Sequence, residues 1–281
     1  GLKGITYKMP IASAQVKSSI LLAGLNAEGK TQVKEKYPTR DHTEKMMKTF
    51  EANISFSKGI VEIERSDLKT PGQIEVPGDF SSSAFFIGAC LISENSEIKI
   101  KNVGINKTRK AFLDCLLDMN ANIDLTNIRQ LGNEEVADLV IKSSDLLPAK
   151  IMEDIVPNLI DELPLFFLIA SLIEGESEFN GLSELKHKES DRLSIMINNL
   201  QKLDVEVHLN KDSLKIIGKK DRIFSDGVFD SHGDHRIAMT MLVAGLRSSE
   251  GLIVKNVDCI NTSFPEFIDQ AKMLGFNFKN G

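Results

Sequence analysis

Four segments of the chain carry apolar residues on nearly every face of a helix. They span residues 16–25, 84–92, 163–173 and 237–246. Helices that are apolar all round are found in protein interiors, whereas surface helices have one polar face. We therefore predict that all four helices are buried, and that each needs neighbouring repeat units to enclose it.

The elements around these helices recur in one order. A short strand and a polar turn precede each apolar helix, and an alternating strand, an amphipathic helix and a hairpin follow it. Gln15, Ser82, Glu162 and His235 mark the polar turns, at intervals of 67, 80 and 73 residues. The sequence therefore predicts an α/β protein of four β-α-β-α-β-β units. A polar stretch with a Pro-Gly break, residues 66–72, indicates a boundary after the first unit.

Composition and charge exclude several classes of partner. The 281 residues carry a net charge of −6, which argues against a nucleic acid held by phosphate contacts. No apolar run is long enough to cross a bilayer, so no membrane partner is expected. Three widely spaced cysteines in apolar surroundings indicate buried thiols of a reducing compartment, and we predict a cytoplasmic location. His232 and His235, without a further ligand nearby, make a poor metal site.

Charged residues gather where three predicted helices begin. Lys188 and Arg192 are four residues apart, which would place both on one side of a first helical turn, with Glu189 between them able to carry a proton. Arg236 begins a second helix, and Asp161 stands before a third. Because helix N-termini favour anions, these positions together predict a site for phosphate or carboxylate groups. The alternative for residues 188–192 is a solvated helix start with Ser190 or Asp191 as the N-cap.

Six short motifs resemble those of the 5-enolpyruvylshikimate-3-phosphate synthase family, in the family's order. They are residues 11–18, 40–44, 77–82, 161–164, 188–192 and 233–236. The resemblance implies the inverse α/β barrel of enolpyruvyl transferases, with two domains of three units each around a cleft. With four of six units present, residues 1–70 are expected to be one unit of the first domain and residues 71–281 a nearly complete second domain. The missing N-terminal segment of the same enzyme would then be a partner.

The resemblance also implies a reaction. The family transfers the enolpyruvyl group of phosphoenolpyruvate to the 5-hydroxyl of shikimate 3-phosphate and releases phosphate, on the pathway to aromatic amino acids. It uses no metal or organic cofactor, so none is expected. Asp161 resembles the general base, Glu189 the acid that protonates the methylene carbon, and Lys188 a residue that binds substrate and stabilises charge. The implied ligands of shikimate 3-phosphate are Ser13, Gln15, Arg40, Asp161 and Lys188, and those of phosphoenolpyruvate are Gln15, Arg192 and Arg236.

The chain departs from the family's pattern in ways that lower the expected activity. Some members have a lysine where Thr262 stands and an asparagine where Glu184 stands. The family's N-terminal cationic segments are absent, so we expect slow or no turnover by this chain alone, and an exposed apolar surface on residues 1–70. Arg109 is expected to be structural, and His235 to orient Asp234 or Arg236.

Three other functions compete with this interpretation. UDP-N-acetylglucosamine enolpyruvyl transferase shares the repeat and the chemistry, but it depends on a cysteine in a mobile loop, whereas Cys115 lies in a predicted apolar helix. A non-catalytic fragment that binds anions at its helix starts is the second alternative. An RNA-end-processing enzyme is disfavoured by the acidic charge.

Overall fold

The computed structural model describes residues 1–279, and its first unit has the predicted order of elements. These are β1 (Thr6–Lys8), α1 (Ala14–Gly24), β2 (Thr31–Lys34), α2 (His42–Thr49), β3 (Ile54–Ser57) and β4 (Ile60–Ile63). The strands pair in the order β1-β2-β4-β3, with β1 parallel to β2 and the other pairs antiparallel. Lys58 and Gly59 both have positive φ, as a two-residue hairpin turn between β3 and β4 requires.

The remaining elements repeat this plan. The second unit contains α3 (Phe80–Ile92), β5 (Glu97–Gly104), α4 (Ala111–Asp118), β6 (Asn122–Leu131) and β7 (Glu134–Lys142). The third contains β8 (Lys150–Ile151), α5 (Leu163–Ser171), β9 (Gly175–Phe179), α6 (Arg192–Lys202), β10 (Glu206–Asn210) and β11 (Ser213–Gly218). The fourth contains β12 (Gly227–Asp230), α7 (His235–Ala244), β13 (Leu252–Lys255) and α8 (Phe267–Met273).

Strand order confirms the predicted repeat and α/β class. The third unit pairs as β8-β9-β11-β10, which is the order of the first unit. The second pairs as β5-β7-β6, and an isolated parallel bridge from Gly78 to Val103 takes the place of its first strand. The fourth unit differs from the prediction, because no closing hairpin follows α8 in the described residues. The described strands form four separate sheets, one for each unit.

Three of the four apolar helices are buried, as predicted. Helices α3, α5 and α7 pack against one another, and the sheets of their units lie outside them. An edge-to-face aromatic pair joins the second and third units, with the ring centroids of Phe112 and Phe166 5.3 Å apart, and a second pair, Phe166 and Phe179, continues the contact within the third unit. Within residues 1–279, no helix is long and apolar enough to cross a membrane.

The first apolar helix is not buried, contrary to the prediction. In α1, Val16 is 41% exposed and Leu22 is 56% exposed, and only Lys17, Leu21 and Gly24 are buried. Among the described residues, α1 packs against its own sheet without the two helical neighbours that enclose α3, α5 and α7. The first unit therefore has a small core of its own, separate from the core of the other three. The division into domains at residue 70 stays a prediction.

Polar side chains join the first unit to the others. The carboxylate of Asp41 accepts a hydrogen bond from the Asn106 amide (2.6 Å), and Lys45 pairs with Glu134 at 3.2 Å. Between the first and third units, the hydroxyl of Tyr37 donates to Glu153 at 2.7 Å. The first unit is thus positioned by directional contacts rather than by a shared apolar core.

Gly218 lets the end of β11 approach the C-terminal end of α5 closely. A Cβ atom there would lie 2.1 Å from the carbonyl oxygen of Ile173 and 2.2 Å from that of Ala170. We expect Gly218→Ala to lower the free energy of unfolding by about 1–3 kcal/mol, because backbone has to move. Urea unfolding followed by circular dichroism measures this. The control is Gly245→Ala, where φ is −57° and nothing lies within 4 Å of the added Cβ; equal stability losses in both variants would contradict the prediction.

Candidate active site

The candidate site is centred on the carboxylate of Asp161, which faces four arginines. Oδ2 lies 3.4 Å from Nη1 of Arg40 and 3.5 Å from Nη1 of Arg109. Oδ1 lies 3.4 Å from Nη1 of Arg192 and 3.6 Å from Nε of Arg236. Each carboxylate oxygen is therefore shared by two guanidinium groups.

The arginines control the ionisation of Asp161. Burial by itself would raise the pKa of this carboxyl, because desolvation penalises the charged form. The positive charges of Arg236, Arg109, Arg40 and Arg192 outweigh burial and hold the pKa well below its usual range. Asp161 is therefore a carboxylate at neutral pH and, in this arrangement, a weak base.

The repeat explains why the arginines converge. Arg40 and Arg109 lie two residues before the second helices of the first and second units, and Arg192 is the first residue of the second helix of the third unit. Arg236 comes from the start of an apolar helix, α7. The units thus present their helix starts to one point, where Asp161 precedes α5. Arg109, which we expected to be structural, belongs to the same cluster.

Arg192 is the most deeply buried of the four. Its side chain is 1% exposed, and its Nε donates to Asp234 at 2.8 Å. Asp234 caps α7 by accepting from the backbone N–H of Arg236 at 2.9 Å, and it also accepts from the Ser190 hydroxyl at 2.9 Å. The expectation for His235 was wrong: its side chain makes no hydrogen bond within residues 1–279, and the orienting group is Asp234 itself.

The predicted helical spacing of Lys188 and Arg192 was also wrong. Asp191 is the N-cap of α6, so the helix begins at Arg192. Lys188 follows a short 3-10 helix, Leu182–His187, and has an extended backbone. Glu189 is exposed and accepts a hydrogen bond from Nη2 of Arg192 at 2.5 Å. Lys188 and Arg192 therefore do not share one helical face.

Lys188 instead faces a cleft between the first and third units. This cleft of about 250 Å³ is lined by four of the five residues expected to bind shikimate 3-phosphate: Ser13, Gln15, Arg40 and Lys188. The fifth, Asp161, does not line the cleft but pairs with Arg40, which does. Ser13 is also the N-cap of α1, since its hydroxyl accepts from the Val16 N–H at 3.3 Å. A larger cavity of about 810 Å³, at the C-terminal ends of α3 and α5, contains none of the predicted site residues.

The sequence did not predict the contacts that hold Arg109 in place. Its Nη2 donates to the Ser81 hydroxyl, which in turn donates to Glu162, and its Nη1 lies 3.5 Å from Glu162 Oε1. Glu162 is fully buried, and burial raises its pKa despite the opposing charge of Arg109. One sequence signal could have predicted that Arg109 belongs to the site: it occupies the same position in the second unit as Arg40 does in the first.

Two observations concern metal-dependent and thiol chemistry. No group of three or more histidine, cysteine or acidic side chains among the described residues could hold a metal ion. Cys115 lies buried in α4, where burial raises the pKa of its thiol to about 12. A thiol of that kind is unreactive at neutral pH.

Comparison with known proteins gives one consistent result. Residues 1–271 match the family described as EPSP synthase (3-phosphoshikimate 1-carboxyvinyltransferase). The 3-phosphoshikimate 1-carboxyvinyltransferase of Alkaliphilus metalliredigens is 43% identical over 272 residues, 96% of this chain and 63% of the relative. That of Magnetococcus marinus is 45% identical over 276 residues, 98% of this chain and 62% of the relative.

Solved structures agree with the sequence comparison. The EPSP synthase of Acinetobacter baumannii superposes with a TM-score of 0.90 at 40% identity, over 98% of this chain and 63% of that one. The enolpyruvyl transferase NikO from Streptomyces tendae has a TM-score of 0.74 at 16% identity, over 92% and 58%, which is a likeness of fold alone. The chain thus spans less than two thirds of the length of these relatives.

Proposed function

Because this chain belongs to the EPSP synthase family, we propose that it takes part in enolpyruvyl transfer from phosphoenolpyruvate to the 5-hydroxyl of shikimate 3-phosphate. One observation carries the proposal: four arginines surround Asp161 beside a cleft lined by Ser13, Gln15 and Lys188. Two substrates with phosphate and carboxylate groups repel each other, and a cluster of guanidinium groups offsets that repulsion.

The residues have distinct roles in this proposal. Asp161 takes the proton of the 5-hydroxyl as the hydroxyl oxygen bonds to C2 of phosphoenolpyruvate. Glu189 gives a proton to the methylene carbon, which becomes a methyl group, and Lys188 stabilises the developing charge. The addition product then expels phosphate and returns one methyl proton to the enzyme, which restores the double bond.

Binding is divided between the two substrates. Ser13, Gln15, Arg40 and Lys188, together with Asp161, bind shikimate 3-phosphate. Arg192 and Arg236, with Gln15 between the two ligands, bind phosphoenolpyruvate, since a guanidinium fork matches both carboxylate and phosphate. The buried position of Arg192 means that Arg236, which is 12% exposed, is the more accessible of the pair.

Calorimetric titration tests this division. We expect Arg40→Gln to weaken binding of shikimate 3-phosphate, and Arg236→Gln to weaken binding of phosphoenolpyruvate, each by about tenfold or more, because a charged hydrogen bond is lost. Arg129→Gln is the control, since Arg129 is a partly exposed arginine that donates to the Asn127 carbonyl and lies outside the site. No detectable binding of shikimate 3-phosphate, or equal binding by Arg40→Gln and Arg129→Gln, would refute the assignment.

Different observations weigh two of the alternative functions. A non-catalytic anion-binding chain would bind both ligands without releasing phosphate from their mixture, so phosphate release that requires both substrates would exclude it. Slow or no turnover by this chain alone remains a prediction. A UDP-linked sugar substrate is disfavoured by the buried, unreactive thiol of Cys115.

A further inference from the structure

The contacts around Asp161 differ in length from the neighbouring ion pair. The four arginines approach its carboxylate at 3.4 to 3.6 Å. Arg192 approaches Asp234 at 2.8 Å, the usual length of a charge-assisted hydrogen bond. Asp161 therefore holds its arginines more loosely than Asp234 holds Arg192.

The acidic partners are unevenly distributed among the four arginines. Arg192 is compensated by Asp234 and by Glu189. Arg40 and Arg236 have no acidic partner other than Asp161 among the described residues, whereas Arg109 also lies 3.5 Å from Glu162 and 3.9 Å from Asp79. Two guanidinium groups, those of Arg40 and Arg236, thus depend on one carboxylate, and a further anion near them competes with that carboxylate alone.

The arginines also differ in their freedom to move. Arg109 is anchored by Ser81 and Glu162 on the side of α3 and α5. Arg40 is 26% exposed and lines the cleft, so it can turn toward a ligand without unfolding any element. Arg236 keeps a second bond to the Asp161 carbonyl oxygen at 3.2 Å. An incoming anion would therefore engage Arg40 and Arg236 while Arg109 stays in place.

We propose that Asp161 competes with the anionic groups of the two substrates for Arg40 and Arg236, so that anion binding releases the Asp161 carboxylate to accept a proton. This inference rests on the proposed function and couples substrate binding to proton transfer. A carboxylate that loses two of its four guanidinium neighbours becomes a stronger base, and general bases work best when their pKa lies near the operating pH. The base would therefore gain strength only while the anionic substrate is bound.

Calorimetric titration with inorganic phosphate tests the competition without either substrate. At fixed pH and ionic strength, we expect Asp161→Asn to bind phosphate about tenfold tighter than the unaltered chain, because the competing charge is gone. Asp191→Asn is the matched control: it changes the net charge equally, but Asp191 caps α6 through Ser194 and pairs with no arginine in the described residues. Its phosphate affinity should equal that of the unaltered chain.

Every result of this experiment decides the proposal. Unchanged or weaker phosphate binding by Asp161→Asn, or no binding by either protein, would overturn it. If Asp161→Asn is unfolded in plain buffer, millimolar phosphate should restore its circular dichroism spectrum, and failure to do so would count against the competition. If Asp161→Asn binds phosphate more tightly but the unaltered chain does not bind shikimate 3-phosphate, the competition is supported and the proposed substrate is rejected.

Discussion

Asp234→Asn should destabilise the protein by about 3–5 kcal/mol, the cost of breaking a buried ion pair by removing one partner. Asp234 is fully buried and pairs with Arg192, whose side chain is 1% exposed. The asparagine keeps the size of the side chain but leaves the guanidinium without its fully buried countercharge. Urea unfolding followed by circular dichroism measures the loss.

Asp191→Asn is the matched control for this variant. Both aspartates are N-caps, Asp191 of α6 and Asp234 of α7, but only Asp234 faces a buried arginine. Because asparagine caps helices about as well as aspartate, Asp191→Asn should change stability by less than about 0.5 kcal/mol. Similar losses in the two variants would show that capping, and not the buried pair, stabilises this region.

The same pair predicts acid sensitivity. Burial opposes ionisation of Asp234. The charge of Arg192 and the hydrogen bonds that Asp234 accepts outweigh burial and hold the pKa of Asp234 below its ordinary value. A carboxyl whose pKa is lower in the folded state than in the unfolded state stabilises the protein at pH values above the unfolded-state pKa of about 4. This stabilisation is lost as the pH falls toward the folded-state pKa. The unaltered chain should therefore lose stability below about pH 4 more steeply than Asp234→Asn does.

Lys17→Met should unfold the first unit while the other three stay folded. Lys17 is 1% exposed in α1, and its ammonium lies 2.7 Å from Glu44 and 3.1 Å from Glu35, two buried carboxylates. Removing it leaves both without a countercharge, at a cost of about 3–5 kcal/mol to the first unit. Glu35 also accepts from the backbone N–H of Thr39 (3.2 Å), so Arg40 should lose its fixed position.

Tyrosine fluorescence separates the two parts of the chain in this experiment. The protein has no tryptophan, and its two tyrosines, Tyr7 and Tyr37, both lie in the first unit. In Lys17→Met, the fluorescence transition should move to lower urea concentration than the main circular dichroism transition. The control is Lys30→Met, which removes the ion pair between Lys30 and Glu62. Because Lys30 is 51% exposed, this substitution should have little effect on the stability of the first unit. A single coincident transition in Lys17→Met would contradict independent unfolding of the first unit.

Much of the fold follows from local patterns in the sequence. Periodicity and turn chemistry predicted the β-α-β-α-β-β units and the burial of α3, α5 and α7, because an all-apolar helix has no face suited to water. The motifs likewise placed Asp161, Arg192 and Arg236 at helix starts, where the structure has them. Such features depend on residues within one or two turns of each other.

Other features were decided only by the tertiary structure. The apolar pattern of α1 predicted burial, but Leu22 is exposed, because burial depends on neighbouring helices that no local pattern contains. The cluster at Asp161 brings in Arg40 from 121 positions away, and Arg109 joins it through the packing of successive units. The sequence by itself thus determined the repeated unit and its charged helix starts. Only the packing of those units decided which charges meet, since the strength of an ion pair depends on distance and burial in space, not on spacing along the chain.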